Sequence, residues 1–323
     1  MLWWRRSKSS WENEWRQATS VNLSNHLHFL TKTVNIHVYN QFCGENEMSE
    51  SLENQKYAPI GVFDSGVGGL TVAREIMRQL PQERIIYFGD TARVPYGSKS
   101  RETIVRYSRQ IIHFLESKGV KAIVVACNTA SAFALEKIRP EMKMPIIGVV
   151  KPGAKVAAEI THNGRIGVIG TEGTVGSHIY TEMIHRHNPE ATVLGKACPL
   201  FVPLVEEGWL KDPVTVQVAK RYLLYFQESD IDTLILGCTH YPLLRAMIRE
   251  IMGESVNLVN PAYETAQGLK RLLEQHGISN DGKMPVEPMY QFYVSDAAEK
   301  FKNFANSILP CEIEEAQLIH IEE

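Results

Sequence analysis

The chain has 323 residues, 44% hydrophobic and 22% charged, with a formal net charge of −3. That length suggests about two domains. The balance excludes wholesale disorder and gives no global pull toward nucleic acid or an anionic membrane surface. Five cysteines at 43, 127, 198, 238 and 311 form neither an even disulfide set nor a CxxC pair, which favours a reducing compartment and leaves zinc chemistry without a ligand pattern.

Four of the five tryptophans (Trp3, Trp4, Trp11, Trp15) lie in the first fifteen residues among Arg5, Arg6, Lys8 and Arg16. No apolar h-region follows, so this is not a secretory signal. Residues 1–57 read as a poorly ordered extension, with Met48 a plausible alternative start and a Trp/Arg surface anchor the sharper alternative.

From Pro59 the pattern becomes α/β. Pro59 to Phe63 reads as a strand followed by a glycine-rich turn, Leu70 to Leu80 as a helix stopped by Pro81, and Arg84 to Phe88 as the next strand. Ser100 caps a helix carrying Ile104, Tyr107, Ile111, Ile112 and Leu115, closed by Gly119. Lys121 to Ala126 is nearly continuously apolar, as a parallel strand buried on both faces requires. Further strands are expected at 145–150, 165–170, 232–237 and 256–260. Strands alternating with helices predict doubly wound parallel sheets.

The pattern also repeats. IGV strands begin at Ile60 and Ile166, and each is followed by an apolar strand ending in a cysteine: Cys127, 66 residues after Gly61, and Cys238, 71 residues after Gly167. In open α/β sheets ligands bind at the carboxyl ends of the strands. Two such halves facing each other place two thiols across one cleft.

Cys127, in Ala126-Cys127-Asn128-Thr129, sits where a strand gives way to a helix, and Cys238, in Gly237-Cys238-Thr239-His240, has the same context. A buried core cysteine is the bland alternative for either. Cys238 with His240 also suggests a cysteine hydrolase, but two matched thiols suit a two-base proton transfer better. Cys198 reads as structural. Asp64-Ser65-Gly66-Val67-Gly68-Gly69 is neither GxGxxG nor a P-loop. It reads as a tight turn presenting Asp64 and Ser65, with Asp64 merely satisfying backbone N–H groups as the alternative. The segment Gly89 to Gly97, with Asp90 and Tyr96, is a polar loop at the same sheet edge. Glu206 is either an acid near the second cysteine or a solvated helix-end glutamate.

Taken together, DSGVGGL at 64–70, GDTARVPYG at 89–97, ACNTAS at 126–131, CPLFVPLVEEG at 198–208 and LGCTHYPLL at 236–244 resemble the glutamate racemases. The resemblance runs from about Pro59 to the C-terminus. It implies two pseudo-symmetric α/β domains, 58–150 plus 262–323 and 151–261, with the active site between them. It further implies a cytoplasmic, cofactor-independent isomerase that interconverts L- and D-glutamate for peptidoglycan, with no metal. A homodimer is expected, without nucleic-acid or membrane partners. Cys127 and Cys238 would be the two bases, taking the proton from D- and L-glutamate respectively. Asp64 would assist Cys127, and Glu206 with His240 would assist Cys238. Substrate contacts would fall on Asp64, Ser65, Tyr96, Gly97, Asn128, Thr129, Thr239 and His240, with Asp90 a possible further site residue. The alternatives are a racemase of another acid such as aspartate, a non-enzymatic amino-acid-binding protein, or a pyridoxal-phosphate racemase, for which no lysine stands out in a strand-end motif.

Overall fold

The computed structural model describes residues 55–283 and 288–321, all within one compact unit, Glu53–Glu323. The readings of the tryptophan-rich segment and of Met48 therefore lie outside the described residues. Lys56 and Tyr57, assigned above to the extension, are tied into the fold. The Lys56 carbonyl accepts a bond from Lys121 Nζ at 2.6 Å, and the Tyr57 hydroxyl donates to Asp281 at 3.1 Å.

The chain runs β1 (Ile60–Asp64), α1 (Leu70–Gln79), β2 (Ile85–Gly89), α2 (Arg101–Ser117), β3 (Ala122–Val125), α3 (Asn128–Phe133), β4 (Ile146–Gly148) and α4 (Val150–Ile160). It continues through β5 (Arg165–Gly170), α5 (Glu172–Gly176), α6 (Ile179–His185), β6 (Thr192–Ala197), α7 (Phe201–Glu206), α8 (Pro213–Leu223), β7 (Thr233–Gly237), α9 (Arg245–Met252) and β8 (Asn257–Val259). It closes with α10 (Pro261–Gln275), β9 (Tyr290–Val294), α11 (Ala298–Ile308) and β10 (Gln317–Leu318).

Every strand pairing is parallel. One sheet has the order β10-β9-β2-β1-β3-β4 and the other β6-β5-β7-β8. The orders 2-1-3-4 and 6-5-7-8 coincide, so the repeat seen in sequence is a repeat of topology. In both sheets the IGV strand pairs directly with the cysteine strand.

Side-chain alternation explains the apolar runs. Ile60, Val62 and Val124 point into one core layer, and Phe63, Ile123 and Val125 into the layer on the opposite face. Leu234 and Leu236 separate from Ile235 in the same way across the second sheet. Helices cover both faces, so neither face of these strands reaches water. Helix α10 returns to the first sheet, where Ala262, Ala266, Leu269 and Leu273 pack with Leu70, Val72 and Ile76 of α1.

Most expected elements are present, displaced by a residue at their ends. The expected strand at 145–150 stops at Gly148, and Val150 already begins α4. This strand bonds to β3 on one side only, and Pro152 suits the first turn of a helix. Ser100 does cap α2, its Oγ accepting from the Thr103 N–H at 3.3 Å. Among the described residues no helix is long and apolar enough to cross a membrane.

Candidate active site

Both cysteines sit just beyond the carboxyl ends of their strands. Cys127 is the N-cap of α3, its Sγ receiving the Ala130 N–H at 3.5 Å. Cys238 follows β7 directly. The two thiols line one cavity of about 380 Å³ between the sheets. Each residue is nearly buried, at 5% and 6% exposure, so solvent competes little for protons at either sulfur.

The surroundings of the thiols differ. Burial pushes the Cys127 thiol up to about 12, and the Asp64 carboxylate pushes the same way, against the Ala130 N–H and the Ser65 hydroxyl. Cys127 therefore rests protonated. Cys238 Sγ lies 3.8 Å from His240 Nδ1, and His240 Nε2 lies 3.0 Å from Glu206 Oε1. Burial works against a charge on His240, but the Cys238 sulfur and the Glu206 carboxylate outweigh it and raise the imidazolium to about 10. Burial also opposes the charge on Glu206, yet His240 and Lys300 hold its carboxyl below the usual range. At neutral pH the site holds a thiol on one side and an imidazolium beside the sulfur on the other.

Asp64 is fully buried and is not among the residues lining the cavity. Its carboxyl is raised by burial against the pull of the His240 charge and three backbone N–H groups. One oxygen accepts the Gly66 N–H at 2.9 Å, the turn role anticipated as the bland alternative. The other meets the Thr239 hydroxyl at 3.5 Å, across the cleft. Glycine is required beside it, because a Cβ on Gly69 would stand 2.4 Å from the Asp64 Cβ.

Asp90 is likewise buried and absent from the cavity lining. It accepts bonds from Arg93 Nε at 2.8 Å, from the Tyr96 hydroxyl at 2.5 Å and from Ser295 at 2.9 Å. These bonds hold the loop that presents Tyr96 and Gly97. The remaining expected residues, Ser65, Tyr96, Gly97, Asn128, Thr129, Glu206, Thr239 and His240, all line the cavity.

The structure adds lining groups that sequence reasoning did not single out. Val94, Pro95, Pro199, Val202 and Pro203 form an apolar portion of the wall, and Thr171 and Glu172 contribute from the start of α5. The apolar group lies inside the stretches 89–97 and 198–208 that carry the resemblance, but prolines and valines in loops look like ordinary turn and core residues, so none of them stood out as a wall of the site. Thr171 caps α5, its hydroxyl accepting the Thr174 N–H at 3.2 Å.

No lysine or arginine is among the described residues lining the cavity. An anionic ligand there must be held by hydroxyls, the Asn128 amide and backbone N–H groups, a mode available at polar loops and helix starts. Two buried sulfurs at strand ends of different sheets, with such donors lining the same cavity, form a geometry that suits the removal and return of a proton at one carbon.

Residues 60–268 match the family model described as Asp/Glu/Hydantoin racemase. The glutamate racemase of Geobacter metallireducens is 51% identical over 250 residues, which cover 77% of this chain and 92% of that protein. That of Neisseria meningitidis serogroup A is 48% identical over 273 residues, covering 84% and 99%. Among solved structures, glutamate racemase from Francisella tularensis in complex with D-glutamate superposes with a TM-score of 0.77 at 39% identity, covering 83% of this chain and 99% of that one. A glutamate racemase isoform from Bacillus anthracis gives the same TM-score at 40% identity, covering 83% and 98%.

Proposed function

The chain belongs to the Asp/Glu/Hydantoin racemase family, and from that premise we propose that it interconverts L- and D-glutamate by a two-cysteine, two-base proton transfer. The observation that carries this reading is the pair of strand-end thiols, one from each pseudo-symmetric sheet, opening onto one cavity. Residues 58–150 plus 262–323 and residues 151–261 act as two domains that meet there.

In the L-to-D direction the Cys238 thiolate removes the Cα proton and the Cys127 thiol delivers its own proton to the opposite face. The turnover leaves a thiol at 238 and a thiolate at 127, the state that accepts D-glutamate. The Cys127 thiol, pushed up to about 12 by burial, is suited to deliver a proton in this direction. The Cα proton is a far weaker acid than a thiol, so donors already in place must stabilise the carbanion-like transition state. Ser65, Asn128, Thr129 and Thr239 supply them. Glu206 keeps the charge on His240, and Asp64 links the Cys127 side to Thr239. The product D-glutamate serves peptidoglycan synthesis in the cytoplasm, with the protein acting as a homodimer.

The test is racemisation of L-glutamate against L-aspartate by dialysed protein without pyridoxal phosphate, followed by optical rotation. Rotation of the glutamate solution falls to zero while that of aspartate holds. Activity that appears only on adding pyridoxal phosphate, or only on aspartate, refutes the proposal.

A further inference from the structure

Each cysteine is followed by a residue that the opposite half of the molecule grips through a buried hydroxyl. Tyr180, on α6 beside the second sheet, donates to Asn128 Oδ1 at 2.7 Å, and Asn128 follows Cys127. Thr71, on α1 beside the first sheet, lies 2.8 Å from the carbonyl of Thr239, and Thr239 follows Cys238. The Thr71 hydroxyl also lies 3.0 Å from the Gly68 carbonyl, but its single proton has the shorter contact across the cleft. Tyr180 and Thr71 are 3% and 0% exposed, and neither lines the cavity, so neither touches substrate.

The surrounding contacts reinforce each grip. Beside Asn128, the Thr129 hydroxyl meets those of Thr171 and Thr174 at 3.0 and 3.2 Å. Beside Thr239, the chain passes so close to Gly68 that a Cβ there would stand 2.4 Å from both Thr239 Oγ1 and His240 Nδ1.

We propose that Tyr180 and Thr71 are a pseudo-symmetric pair of positioning residues, each setting the cysteine of the opposite half against the cleft. The proposal rests on the two-base reading. A thiol carried only by its own sheet moves with its own half, whereas racemisation needs both sulfurs in reach of one Cα at once. Misplacement of a reacting group by about 1 Å costs about 100-fold in rate. Pinning the residue after each cysteine to the far half fixes the separation of the thiols at both ends. Tyr180 has a second effect: it engages the Asn128 oxygen and leaves the amide nitrogen as the group available to substrate.

The test uses glutamate bearing a leaving group at Cβ, offered as either enantiomer. One base removes the Cα proton, the electron pair forms the Cα–Cβ double bond, and the leaving group departs as an anion. The second base is not needed, so each enantiomer reports on one cysteine. Tyr180→Phe should lower elimination from the D analogue relative to the L analogue by about tenfold or more, and Thr71→Val should shift the ratio the other way. Thr71→Ser keeps the hydroxyl and should keep the wild-type ratio, so the Ser and Val pair still decides the matter if Tyr180→Phe does not fold. Residues that merely fill the core would, on substitution, slow both analogues by one factor and leave the ratio unmoved, and that result overturns the proposal. Cys127→Ser and Cys238→Ser serve as controls. If they show no enantiomer split, the two-base reading fails and takes this proposal with it. If they split while the Tyr180 and Thr71 variants do not, only the proposal fails.

Discussion

Glu206→Gln removes the carboxylate that faces His240 Nε2 at 3.0 Å and keeps the shape of the side chain. At that distance an effective dielectric of about 20 gives a Coulomb attraction of about 5 kcal/mol. The Glu206 side chain is 30% exposed, and solvent screens the pair toward the value of a charge-assisted hydrogen bond, about 1.5–3 kcal/mol. One pKa unit corresponds to about 1.4 kcal/mol, so the imidazolium should fall by about one to two units from its value of about 10. The sign follows directly: His240 is charged below its pKa, so the variant loses the cation at a lower pH. At pH 7 both proteins still carry it, and kcat/KM for L-glutamate should differ by less than about tenfold. The alkaline limb of the kcat/KM profile should move toward neutrality by about one to two units. Ionisation of the substrate ammonium is common to both proteins and cancels in the comparison. An alkaline limb that stays in place in Glu206→Gln would show that this carboxylate does not set the charge at Cys238, and the reasoning would fail.

Three further outcomes are expected. Cys127→Ser and Cys238→Ser should each lose racemisation by at least about 10²–10⁴-fold, since a positioned base is removed; a polarimetric assay showing one variant near wild type would make that thiol dispensable. Gly68→Ala should cost about 100-fold or more in kcat/KM with a small shift in melting temperature, because its Cβ would strike Thr239 and His240 and not the core; a large melting shift with intact turnover would contradict this. Lys121→Met should destabilise the fold by about 3–5 kcal/mol, because it strands the buried Glu83 carboxylate now 2.5 Å from Lys121 Nζ. Thermal melting should show that loss and its partial recovery in Lys121→Met with Glu83→Leu, while turnover at low temperature persists because Lys121 lies just before β3, at the strand end away from the cavity.

The sequence was most legible where burial is symmetric. β1, β3 and β7 are buried along their whole length and appear as continuous apolar runs. β6 escaped notice because it is an edge strand, half exposed and broken by Gly195 and Lys196. β9 and the two-residue β10 extend the first sheet beyond the repeat, so the internal symmetry gave no hint of them. The cysteines were found through strand-end position, a one-dimensional signal. The full burial of Asp64 was not legible, because it depends on the close approach of Gly69 and Thr239, while its bond from the Gly66 N–H was anticipated as the bland alternative. Tyr180 gave no signal either, since an aromatic on a short helix looks like core until its hydroxyl is seen 2.7 Å from Asn128.

Two thiols on opposite faces of Cα are the centre of this account, and heavy water tests them most directly. L-glutamate is incubated with the protein and no added cofactor, and the reaction is stopped at low conversion. Two bases with separate protons predict that the D-glutamate formed carries deuterium at Cα while the recovered L-glutamate remains protiated. A single base serving both faces would instead label recovered substrate and product alike, or return the original proton to the product, and either pattern would contradict the account.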